Sequence, residues 1–129
     1  MSTRARGTDV TSIDYTDRVF RSVEHPDITG HYHSDGDLVW AEFSGAPVSL
    51  GRLVGHRAAD GSLELAYSYR LASGDLVAGR CTSRPEVLPD GRIRLTEHFR
   101  RLDGKAGVSV IEELPRPHIP RPLAAGSDG

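Results

Sequence analysis

Two groups of side chains in this sequence are placed to do chemistry: the pair His31 and His33, and Glu97 within an apolar run. On an extended segment, His-x-His sets two imidazoles on one side about 7 Å apart, a spacing that can hold a metal. Such a site also needs a carboxylate and a later histidine facing the same way. His56 and His98 remain, but His98 alternates with Arg94, Thr96 and Arg100 on a polar face, so no metal is assigned. Glu97 alternates with Ile93, Leu95 and Phe99. A carboxylate on an apolar face is costly unless it is paired or hydrogen-bonded. Desolvation raises its pKa and lets it serve as acid or base. The alternation offers Tyr67, Tyr69, Arg80 or Arg52 as its partners. Glu97 and Tyr67 are the catalytic candidates, while a structural Glu–Arg pair or a hydrogen bond to a ligand accounts for the same pattern.

Trp40 and Glu42 pose the same problem without an answer. Leu38, Trp40 and Glu42 share one face of their segment, and Val39, Ala41 and Phe43 share the other. Both faces are substantially apolar, so one looks into a core and the other is open to cover by a second copy of the chain. A homo-oligomer is expected on that ground. Cys81 is the only cysteine, which excludes an internal disulfide. It has no neighbouring histidine and no helix start to lower its pKa, and is expected to be buried and inert. The sequence lacks a Walker loop, a G-x-S-x-G elbow, H-E-x-x-H and a strand-preceded G-x-G-x-x-G. No cofactor is expected.

The elements that must position these residues are β-strands. Asp-Gly recurs at 35–36, 60–61, 90–91 and 103–104, with Ser73-Gly74 and Gly45-Ala46-Pro47 between. Asp-Gly favours tight hairpins because both positions tolerate positive φ. Between these signals lie RVFRSV, GHYHS, LVWAEFS, VSLGRLVGHR, SLELAYSYRL, LVAGRCTS, RIRLTEHFRR and VSVIEEL, eight candidate strands with no helical stripe. Leu63, Leu65, Tyr67, Tyr69 and Leu71 alternate with Glu64, Ala66, Ser68 and Arg70, as Ile93, Leu95, Glu97 and Phe99 do with their polar neighbours. One apolar and one polar face describe a sheet with water on one side.

Short hairpins make consecutive strands antiparallel neighbours, and eight of them in a row can close on themselves. The predicted fold is all-β: an eight-stranded antiparallel up-and-down barrel, with a two-sheet sandwich as the alternative. Gly51, Gly55 and Gly79 fall inside strands, where glycine marks a bulge, sharp coiling or close backbone approach. The barrel spans residues 15–114. Residues 1–14 are polar and aperiodic and are expected to be a flexible tail; residues 115–129 carry four of the eight prolines and are expected to be extended or disordered.

Composition narrows the partners. A chain of 129 residues is about one domain, and 16 basic against 18 acidic residues leave no charge excess for nucleic acid or an anionic membrane. No apolar run is long enough to span a membrane, and MSTRARGTDV has no hydrophobic segment after its arginines, so a cytoplasmic, bacterial-type protein is expected.

RVFRSV, HYHSDGDLVWAEFSG, GRLVGH, LELAY, LPDGRIRLTEHF and SVIEEL, in this order and spacing over residues 15–114, resemble a family of small bacterial proteins with an avidin-like barrel, members of which are often named N-acetylglutamate synthase. The resemblance implies the avidin- and calycin-like barrel fold. It supplies no catalytic set, and an acetyltransferase of the usual type needs a βα fold with a pyrophosphate-binding turn, which this sequence lacks. The site therefore rests on alternation: Tyr32, Trp40, Glu42, Tyr67, Tyr69, Arg80, Glu97 and Phe99 are the candidate ligand-binding residues. Three functions fit: a cavity binding a small, largely apolar molecule, an isomerase or cyclase using Glu97 or Tyr67 in that cavity, or a filled barrel acting through its surface or proline-rich tail.

Overall fold

The computed structural model describes residues 9–115; residues 1–8 and 116–129, with most of both expected tails, lie outside the described residues. Eight strands follow in chain order: β1 Arg18–Ser22, β2 Thr29–Asp35, β3 Leu38–Gly45, β4 Val48–Arg57, β5 Leu63–Leu71, β6 Leu76–Val87, β7 Ile93–Arg101 and β8 Ala106–Glu113. Each pairs antiparallel with the next, and β8 returns to pair with β1, so the sheet is a closed barrel. Closure removes both sheet edges, which the alternative sandwich would have left exposed. The Asp-Gly signals are where the chain turns: Gly36, Gly61, Gly91 and Gly104 all take left-handed φ of 63° to 93°. Glycine adopts that conformation without the penalty a Cβ would bring.

Register places the alternating residues as their pattern requires. Leu63 and Leu65 on β5, Ile93 and Leu95 on β7, and Val39 and Ala41 on β3 are buried together with Phe20, Tyr32 and Leu53. Those on β3, β5 and β7 fill one end of the barrel, and Phe20, Tyr32 and Leu53 border the space beyond it. The filled end is closed by residues 9–15, all but Tyr15 within the stretch 1–14 expected as a tail. Asp9 accepts from the Thr11 amide to cap a 3₁₀ turn, Val10–Ser12, and the turn feeds Ile13 and Tyr15 into the core, 2% and 0% exposed. Arg57 donates to the Ile13 carbonyl and fixes this plug. Two apolar side chains flanking one aspartate are too short a run for a period to register.

β6 is longer than its sequence signal. It continues through Pro85 to Val87, where the LVAGRCTS run ends at Ser83. Pairing with β5 stops at Ser83, while pairing with β7 continues to Val87. Pro85 thus has a strand on one side only, the position in a sheet that tolerates a residue without an N–H.

Candidate functional site

The other end of the barrel is open. A cavity of about 380 Å³ runs inward from the turns between β1 and β2, β3 and β4, β5 and β6, and β7 and β8. A small-ligand pocket is typically ~300–1,000 Å³. The interior is therefore not filled, which removes the observation on which a purely structural barrel depended.

Glycines make the room. In each of the four hairpins an inward aromatic stands directly opposite an inward glycine: Phe20 with Gly30, Phe43 with Gly51, Tyr67 with Gly79 and Phe99 with Gly107. The Phe43 ring lies over Gly51, and a Cβ on Gly79 or Gly107 would meet the Tyr67 hydroxyl at 2.6 Å or Phe99 Cζ at 2.8 Å. The rings lie against the wall because the neighbouring strand offers no side chain there, and the barrel axis stays empty. Gly51 and Gly79 thus serve the close approach expected of them; Gly107 and Phe43 were not singled out, and their pairing is visible only in the register. Phe43 and Tyr69 meet edge to face at 6.0 Å, and Tyr67 and Tyr69 stack at 6.1 Å, giving a continuous aromatic wall.

Glu97 faces this cavity. Ser109 Oγ donates to Glu97 Oε1 at 3.1 Å, and Ser83 Oγ reaches Oε2 at 3.5 Å. Neither arginine nor tyrosine is its partner, contrary to what alternation offered; β6 and β8, which flank β7, supply small hydroxyls at the paired positions. Burial pushes the carboxyl up to about 7, and the two serine bonds only partly offset it. Tyr32, fully buried beside it, has its phenol pushed well up by the same desolvation, with the Glu97 charge adding to the effect. Cys81 also lines the cavity; burial raises its thiol to about 12, which keeps it protonated and unreactive as expected.

Two strand periods beyond Glu97 on β7 (Phe99 between them), Arg101 stands at the mouth. Its Nη2 donates to the Tyr69 hydroxyl at 3.2 Å, its Cζ lies 5.9 Å from the Phe99 ring centre, and its Nε is buried without a hydrogen-bond partner. Arg101 is not among the residues the sequence singled out. Alternation from Glu97 through Phe99 was the signal that it faces inward. Tyr67, with its phenol raised first by burial and then by Tyr69, completes the mouth.

Of the eight candidate residues, Tyr32, Tyr67, Tyr69, Glu97 and Phe99 line the cavity. Trp40, Glu42 and Arg80 do not. β3 turns Val39 and Ala41 into the core, so Trp40 and Glu42 point outward. Trp40 stacks on His33 at 5.2 Å, and His33 Nε2 meets Glu42 Oε1 at 2.8 Å, which holds the Glu42 carboxyl below its usual range. Arg80 is exposed on the outer face, opposite Ala66 and Arg100. On the same outer wall as Trp40, His31 pairs with Asp17 at 3.1 Å and stacks on His33 at 4.7 Å; the ligand atoms of Asp17, His31 and His33 lie within 4.8 Å of one another. No helix among the described residues is long and apolar enough to cross a membrane.

No curated protein and no solved structure matches the chain. The family model described as avidin-like protein does match, over residues 13–114, which begins at the buried Ile13 and ends one residue past β8. A closed eight-stranded barrel and a match over that span agree: the chain belongs to the avidin-like protein family.

Proposed function

We propose that this barrel binds a small, largely apolar molecule in its open end, between the aromatic walls and the Glu97–serine cluster. The observation that carries the reading is the cavity of about 380 Å³, lined mainly by apolar groups, with few polar anchors. Anchors of that number and placement are what orient ligands in such pockets. Native mass spectrometry of the protein isolated from its own cells tests it. An added mass that is released on denaturation is expected, and repeated isolation of an empty chain overturns the reading. The same spectrum reports the subunit count. A homo-oligomer is expected, because Trp40, Val54 and Ala66 cross β3, β4 and β5 side by side on the outer wall, where Val54 is exposed, as are Leu38 on β3 and Leu50 on β4.

A second reading, an isomerase or cyclase, draws on one specific observation. Glu97 faces the cavity, its partners are two hydroxyls, and its carboxyl is raised to about 7. A general acid or base works best with a pKa near the working pH. With the mass-identified ligand as substrate, Glu97→Gln is expected to abolish turnover and leave binding intact; full activity in that variant removes the catalytic reading.

A further inference from the structure

The cavity has a polar feature that neither reading uses. Arg101 brings a guanidinium, which is charged at every accessible pH, to the mouth of an apolar chamber. No carboxylate among the described residues lies within ion-pair distance of it: the acids paired to other arginines are Glu42, Asp60, Glu86, Asp90, Glu112 and Glu113. Its Nη2 donates to a neutral phenol, that of Tyr69, and Nε has no partner. Arg101 as a whole is half-buried, but its buried Nε is a donor left without an acceptor, which costs stability. Glu24 and His25 also line this cavity, but from the turn between β1 and β2, and neither is hydrogen-bonded to Arg101.

The rest of the mouth is built to steady the guanidinium. The Tyr69 hydroxyl accepts from it, the Phe99 ring lies under it, and Tyr67 stacks behind Tyr69. An arginine held by an aromatic face and a phenol is pre-organised, so little rotamer freedom is lost when an anion arrives. Along β7, Glu97, Phe99 and Arg101 follow at alternate positions, so polar anchors stand at two depths about 13 Å apart with a ring between. A ligand that satisfies all three has an anionic end, an apolar middle and a hydrogen-bonding group at the deep end.

We propose that the ligand of this barrel is a small amphipathic anion, a carboxylate or an acid of similar shape, whose charged end is held by Arg101 at the mouth while its apolar body lies along Phe99, Tyr67 and Phe43. The inference rests on the cavity being a binding site. Binding is by charge-assisted hydrogen bonds from the guanidinium, with no covalent step.

Two fluorescent probes on one skeleton separate this claim from the reading beneath it. 8-Anilinonaphthalene-1-sulfonate carries an anion, and N-phenyl-1-naphthylamine is its neutral counterpart. Each is titrated at pH 7 into the full chain, into Arg101→Gln and into Arg101→Lys, with calorimetry fixing the stoichiometry. One site per chain is expected, with the anionic probe preferred about ten-fold or more, as a charge-assisted hydrogen bond allows. Arg101→Gln should abolish the preference by weakening only the anionic probe, and Arg101→Lys should restore part of it. If both probes bind equally well, or if the preference survives in Arg101→Gln, the anion assignment is overturned and the cavity reading stands. If neither binds, the cavity reading falls and takes the inference with it. Retention of neutral-probe binding by Arg101→Gln shows that the variant is folded.

Discussion

The two carboxylates drawn into this barrel are treated in opposite ways. Glu113 Oε1 accepts from Arg18 at 2.8 Å and from the Ile93 amide at 3.1 Å, so its charge is answered. Glu97 has two serine hydroxyls and no counter-ion among the described residues, and desolvation prevails, raising its carboxyl from 4.5 to about 7. The consequence for stability has a definite sign. Below pH 4.5 Glu97 is protonated in the folded and unfolded chain alike, so it imposes no charge-burial cost. Between 4.5 and 7 the folded chain holds a proton that the unfolded chain has released, and stability falls as pH rises through that window. Above about 7 the loss is complete, on the order of 3 kcal/mol. Glu97→Gln stays neutral throughout, so urea midpoints measured at pH 5 and pH 8 should drop more for the native chain than for the variant. Parallel profiles would mean that the carboxyl is solvated and ordinary. Sequence alternation was enough to single out Glu97 as an inward acid. It could not supply Ser83 and Ser109, because serine is as common on an outer face as on an inner one.

At the scale of the hairpin, the repeated unit is an aromatic residue opposite a glycine. Across a strand pair, facing side chains compete for the same space, and a glycine yields all of it to the ring. Strand interiors normally disfavour glycine, so the three pairs in which the aromatic side chain reaches over the glycine, Phe43–Gly51, Tyr67–Gly79 and Phe99–Gly107, mark a wall thinned at the mouth end. Gly107 is the cleanest test, because the three atoms nearest to the Cβ it lacks all belong to the Phe99 ring, the closest at 2.8 Å, and its φ lies outside the left-handed region. Gly107→Ala should push that ring off the wall into the cavity, lowering N-phenyl-1-naphthylamine affinity about ten-fold, the effect of one methylene in an apolar pocket, with little change in melting temperature. Unchanged affinity would show that Phe99 moves along the wall instead and that the cavity does not depend on the pairing. Strand number and order, and the inward faces of β5 and β7, were legible from Asp-Gly turns and the two-residue period. The aromatic–glycine pairing was not, since it is a property of register: Phe43 meets Gly51 and Phe99 meets Gly107 only after the hairpins have set which residues oppose. The same limit explains Trp40 and Glu42. Both faces of β3 are apolar, and only its place between β2 and β4 decides that Val39 and Ala41 go inside.

For the whole molecule, everything depends on the ring staying shut. Seven of the eight ladders join neighbours in sequence and form through short turns, whereas the β1–β8 ladder brings together residues almost the full described length apart. Such long-range closure has the highest loop-entropy cost, and β1, with five residues, is the shortest strand. Phe20, Arg21 and Ser22 pair there with Glu113, Glu112 and Ile111, and the Leu114 amide adds a bond to the Val19 carbonyl. Glu113 is the side chain that ties this seam. It reaches Arg18 on β1 and the backbone of Ile93 on β7 from its own position at the end of β8, and Arg92 donates to its carbonyl at 3.0 Å. An acid buried at 2% exposure and bonded to both flanking strands acts as a clasp. Removing it leaves Arg18 and an amide without that acceptor, a loss of about 3 kcal/mol for one partner of a buried pair. Glu113→Ala should therefore lower the urea midpoint by that equivalent and, in hydrogen exchange, unprotect β1 and β8 before β4 and β5. Uniform loss of protection around the barrel would assign the clasp to packing of Phe20 and Tyr32 rather than to the buried acid.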